Sequence, residues 1–151
     1  MSDQLSYQFR MIRLHTVEFA ILEKNYQDQQ QINVNTNLSF AARAEHRLVA
    51  VSAKFTFEIK EQPFIVIKVE GQFAIGEETW EQMLTDEQDG INVPQSFMAH
   101  LSMLVVGSSR GVLHAKLENT TFNQFLIPTI NVKSMIKHDI KVILEDKESN
   151  N

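Results

Sequence analysis

The chain has no cysteine, only five glycines, three prolines and one tryptophan in 151 residues. Without cysteine there is no disulfide scaffold and no thiolate zinc site, which fits a reducing compartment. With so few glycines there is no phosphate-cradling glycine-rich loop. No apolar run approaches the ~20 residues a membrane-spanning helix needs, so stable membrane insertion is not expected. The opening Met1-Ser2-Asp3-Gln4-Leu5-Ser6 lacks the basic start and apolar core of a secretory signal. A cytoplasmic protein is expected on these grounds. Excess positive charge is also missing: 14 Lys and Arg stand against 19 Asp and Glu, a net charge of −5. Phosphate backbones attract the opposite balance, so nucleic acid is not an expected partner.

What is present is ordinary for a globular chain, with 43% hydrophobic and 22% charged residues. The length suits one domain over residues 1–151. A domain of this size buries roughly two thirds of its unfolded surface, so it needs no metal or disulfide to fold.

The first half reads as strands. Ile32, Val34, Thr36, Leu38, Phe40 and Ala42 alternate with Asn33, Asn35, Asn37 and Ser39, the period of a half-buried strand. Val49 to Ile59 and Ile65 to Ile75 repeat the pattern, and the five residues from Arg43 to Arg47 mark a hairpin. Gly71 marks a bulge or a close approach. Tyr7 to Leu22 is apolar with switching parity, which predicts a bulge between Met11 and Thr16. Glu23 to Gln31 reads as an exposed connection.

The texture then changes. Glu77 to Gly90 reads as an acidic loop or short helix around Trp80 and Leu84. Asn92, Pro94 and Gln95 read as a helix start, with Asn92 as cap and Gln95 reaching back. Phe97, Leu101, Leu104, Ser108, Val112 and Ala115 follow at helical spacing. Met98, Met103, Val105 and Val106 fall outside that stripe, so a second face needs another partner, most simply a second subunit. Gly107 and Gly111, four apart, point to close helix contact or else to a kink or an early helix end. The expected oligomer interface is therefore Met98, Leu101, Val105, Gly107 and Gly111. After a loop from Asn119 to Asn131, residues Val132 to Leu144 fit either a helix or a strand.

Nothing in the sequence marks an enzyme. The five histidines show no metal-ligand spacing, and no serine sits in a nucleophile elbow. Glu77-Glu78 and Asp86-Glu87 lie in acidic loops, where carboxylates are solvated. No cofactor or metal is expected. The unusual feature is an apolar surplus in predicted loops, at Tyr26, Phe122, Phe125, Leu126 and Ile127. Such a group makes either a lid over the core or an apolar contact site.

Several stretches resemble the SecB protein-export chaperone family. They are Val69-Glu70-Gly71-Gln72-Phe73-Ala74-Ile75, the helix opened by Val93-Pro94 with Arg110-Gly111-Val112-Leu113 near its end, and Leu126-Ile127-Pro128-Thr129-Ile130-Asn131-Val132. The resemblance covers roughly Tyr7 to Ile136. It implies an α+β fold, a four-stranded antiparallel sheet with two helices packed on one face, the second helix following Pro128. It also implies a homotetramer built as a dimer of dimers, with helices between sheets. The implied activity is ATP-independent holding of unfolded polypeptides, such as preproteins destined for the SecA motor. The implied peptide-binding groove comprises Tyr26, Phe122, Phe125, Leu126 and Ile127. The chain departs from the family pattern at Phe97-Met98-Ala99-His100 and at Thr129, and some SecB-like proteins instead serve toxin–antitoxin systems as dedicated chaperones.

Overall fold

A computed structural model describes residues 6–145. Four long antiparallel strands, β1 (Phe9–Ile21), β2 (Asn33–Arg43), β3 (Leu48–Ile59) and β4 (Gln62–Ile75), form one sheet in the order β1-β4-β3-β2. Alternation fixes the two faces. Val49, Val51, Phe55, Ile65, Ile67 and Phe73 are fully buried on one face. Lys54, Lys68, Glu70 and Gln72 point the other way and leave that face polar. There Lys54 pairs with Glu18 at 3.3 Å, across β4.

β1 carries two register shifts, between Met11 and Arg13 and between Thr16 and Glu18. Ile12 and Val17 are the extra residues. The core parity thus runs through Phe9 and Met11, then Leu14 and Thr16, then Phe19 and Ile21. The first shift lies in the expected window and the second just beyond it. The β3–β4 turn is the two residues Lys60 and Glu61, both at positive φ (50° and 66°), as a hairpin matched to strand twist requires.

Two main helices complete the α+β architecture. α1 (Glu77–Met83) buries Thr79, Trp80 and Met83, and α2 (Gln95–Leu117) packs over β3 and β4. At Gly71 the side chains of α2 and β1 come close: a Cβ there would lie 2.7 Å from Val105 Cγ2 and 3.5 Å from Met11 Cε. The neighbour that demands the glycine is a side chain rather than another backbone. Phe97 stacks on Tyr7 at 4.5 Å and meets Phe9 at 5.5 Å. At the far end of α2, Lys116 lies over the Phe19 ring. The helix therefore runs alongside β1.

The start of α2 differs from the expected capping box. Asn92 belongs to β5 (Gly90–Val93), and Gln95 does not reach back to it. Instead the Gln95 N–H donates to Asp139 Oδ1 at 2.8 Å, and its side-chain amide donates to the Ile136 carbonyl at 2.6 Å. The cap comes from 44 residues downstream. The last stretch contains both forms left open by the sequence. Val132–Met135 is a single helical turn (α3) and Ile140–Ile143 is a strand (β6) paired with β5. The second helix implied after Pro128 is thus one turn long. The alternation of Ile140, Val142 and Leu144 wins because β5 offers a strand partner, and Asp139 is held at the α2 cap.

Candidate polypeptide-contact surface

Three separate segments bring rings together at the hairpin end of the sheet. Phe57 and Phe64 flank the β3–β4 turn, Tyr26 follows the short turn after β1, and Phe122 and Phe125 follow α2. Tyr26 lies 5.2 Å from Phe64, 5.2 Å from Phe122 and 5.8 Å from Phe125. Phe125 lies 5.2 Å from Phe64 and 6.2 Å from Phe57. Most of these pairs are edge-on or tilted, the arrangement that ring quadrupoles favour.

Hydrogen bonds hold the segments in place. Asn25 Nδ2 donates to the Pro63 carbonyl at 2.7 Å, tying the β1–β2 connection to β4. Arg110 of α2 donates to the carbonyls of Ile127 and Pro128 at 3.2 and 2.9 Å. Thr120 donates to the Leu117 carbonyl and accepts the Phe122 N–H. The Tyr26 hydroxyl titrates above its ordinary range. Burial is the main cause, with a hydrogen bond to Asp28 and that carboxylate's charge adding to it.

The five groove positions separate in this setting. Phe122 and Ile127 are buried, at 5% and 4% exposure, and close over the core as a lid. Tyr26 and Phe125 are half-buried at its rim. Leu126 alone projects, at 62% exposure. An incoming chain can touch Leu126 and the edges of Tyr26 and Phe125, but not Phe122 or Ile127 in this conformation.

The expected oligomer interface needs correction. Met98, Leu101 and Val105 are fully buried between α2 and the sheet of the same chain, so no second copy reaches them. Gly107 and Gly111 do face outward, and among the described residues nothing beyond the adjoining helix backbone lies within 4 Å of a Cβ at either position. The stripe that packs on the sheet is rotated from the expected one and is centred on Met98, Leu101, Val105, Ser109 and Leu113.

Residues overlooked in the sequence line the β1 side. Ile12, Leu14 and Val17 are 42–46% exposed on the strand. Leu104, two turns from Phe97 on the same side of α2, is 37% exposed. The double change of parity in β1 was the available signal for Ile12 and Val17, since an apolar residue in a bulge has no place on the core face, whereas Leu14 keeps core parity opposite Gly71.

Polar groups elsewhere are scattered. Asp89, beside β5, sits below the usual carboxylate range because the Thr85 hydroxyl donates to it at 2.7 Å, with Lys141 nearby. Among the described residues no group of three His, Asp or Glu could hold a metal ion, and no helix is long and apolar enough to cross a membrane. Comparison with models of protein families, and with curated proteins, finds no match to this chain. The resemblance to the SecB family therefore rests on the short motifs quoted above.

Proposed function

We propose that the protein is an ATP-independent holdase that keeps unfolded polypeptides, preproteins among them, from aggregating. The supporting observation is apolar surface left over after the core is complete: Ile12, Leu14, Val17, Met103, Leu104 and Leu126 stay at least 37% exposed. Soluble single chains seldom leave such groups in clusters unless something covers them. Each square ångström of apolar client surface they cover contributes roughly 25 cal/mol. Binding the unfolded state shifts the client's folding equilibrium by mass action, with no nucleotide consumed.

In this reading the protein acts in the cytoplasm as a homo-oligomer, a tetramer arranged as a dimer of dimers, and the SecA motor is a candidate acceptor for its clients. Of the exposed apolar residues, Ile12, Leu14, Val17 and Leu104 line the β1 edge and suit a second copy, which leaves Met103 and Leu126 to clients. Arg10 and Arg13 precede the middle of β1 and Glu18 follows it, so antiparallel self-pairing sets unlike charges opposite one another, whereas parallel pairing sets like against like. One observation favours a narrower role as the dedicated chaperone of a single partner, such as an antitoxin. With Phe122 and Ile127 buried, the open apolar area at the groove is small.

The test is light scattering from a chemically denatured client diluted into buffer with equimolar protein and no nucleotide. Delayed aggregation, weakened by Leu126→Glu, is expected. No delay at all would sink the proposal. Identification of chains captured from cells then separates a broad client range from one partner.

A further inference from the structure

The sheet has two edges, and they are built differently. β1 bears two register shifts and the charges of Arg10, Arg13 and Glu18. Bulges and charges keep an edge strand from pairing with chains that do not match it, and leave it to a charge-matched partner. β2 has neither along most of its length. It pairs with β3 over eleven consecutive residues, Asn33 to Arg43, with no register shift, and from Asn33 to Ala42 it holds no charge, no proline and no glycine.

Among the described residues, only the far end of β2 is occupied. Leu144 forms a parallel bridge with Ala42, the Glu145 N–H donates to the Ala42 carbonyl at 2.9 Å, and Arg43 pairs with Glu145 at 3.3 Å. Among the described residues, nothing pairs with the outer edge from Asn33 to Ser39. The two faces beside this open edge differ. Val34, Leu38 and Phe40 are half-buried on the core side, because α2 packs over β3 and β4. Asn33, Asn35, Asn37 and Ser39 are exposed on the other side.

From this we infer that the Asn33–Ser39 edge of β2 binds an extended, uncharged client segment as a fifth strand. The inference rests on the holdase reading and names how that activity would grip its substrate. Main-chain hydrogen bonds supply sequence-independent affinity, and alternate apolar side chains of the client lie beside Val34, Leu38 and Phe40. The absence of charge decides between occupants. A fixed partner, such as a second copy, is matched by charge, and β1 carries that kind of pattern. An uncharged regular strand specifies register weakly, which suits clients of varied sequence.

The experiment uses the full-length protein and a fluorescent peptide of alternating threonine and valine, held below its own aggregation threshold. A second peptide has the same side chains with alternate backbone nitrogens methylated. Anisotropy is expected to show the unmethylated peptide binding about ten-fold more tightly, the loss expected for one or two main-chain hydrogen bonds. Slowed amide exchange from Asn33 to Ser39 should accompany binding, and Asn37→Lys should weaken it. Equal affinity for both peptides would overturn strand addition in favour of side-chain capture. Binding of neither peptide by a protein that still delays aggregation would overturn it too, leaving the holdase reading intact. A fall in solution mass on Asn37→Lys would overturn it by making the edge a contact between copies. If peptide binding follows the expected pattern but aggregation is not delayed, strand addition stands and the holdase reading fails.

Discussion

Replacing Gly107 and Gly111 together by alanine separates a free helix face from one packed on a neighbour. Both glycines lie in the interior of the 23-residue α2, and a Cβ at either meets nothing beyond the adjoining helix backbone within 4 Å among the described residues. Glycine in a helix interior costs about 1 kcal/mol relative to alanine, mostly through the entropy of the unfolded chain. With no steric cost to subtract, the double substitution should stabilise the fold by about 2 kcal/mol. For a chain of this length that corresponds to a rise in Tm of about 4–8 °C. Thermal unfolding followed by far-UV circular dichroism reads the shift, and light scattering reads the mass in parallel. Gly71→Ala supplies the opposite sign. Its methyl would sit 2.7 Å from Val105 Cγ2, and such overpacking costs about 1–3 kcal/mol. An unchanged or lowered Tm for the double variant, together with a smaller solution mass, would refute the argument. It would place the glycine face inside an interface and displace the β1 edge as the surface for a second copy.

Three further outcomes follow from local geometry. Asp139→Ala removes the acceptor for the Gln95 N–H and should cost about 1 kcal/mol, the usual worth of a cap, seen as a lower denaturant midpoint with an unchanged slope. Lys60→Asn with Glu61→Gly places residues that tolerate positive φ where the backbone already has it, and should add about 1 kcal/mol in the same assay. The Tyr26 hydroxyl titrates higher in the folded chain than unfolded. The folded state therefore disfavours the phenolate, and its advantage is lost as pH climbs above about 10. Stability measured from pH 9 to 11 should fall, and less steeply in Tyr26→Phe.

Much of the architecture was legible because strand alternation is a local property. The β2, β3 and β4 patterns, the β2–β3 hairpin and the special place of Gly71 all come from residue types at fixed spacing. The α2 pattern showed a long helix but not its orientation. With apolar or small residues on nearly every side, the sequence could not say that Met98, Leu101 and Val105 meet the sheet while Gly107 and Gly111 face away. The candidate site was legible as a set of rings and not as a surface. Phe122 and Ile127 became lid residues because Arg110 holds the carbonyls of Ile127 and Pro128, a pairing across 17 and 18 residues.

By itself, then, the sequence determined the strands, the long helix and the lack of metal-binding motifs, because period and composition act within a few residues. Tertiary structure decided the cap of α2, the split of the last element into turn and strand, the burial of the interface residues, and the open edge of β2. Each of these depends on which distant segment supplies a hydrogen bond or a covering side chain, and the free energy of such a contact exists only once the chain has closed the loop between the two.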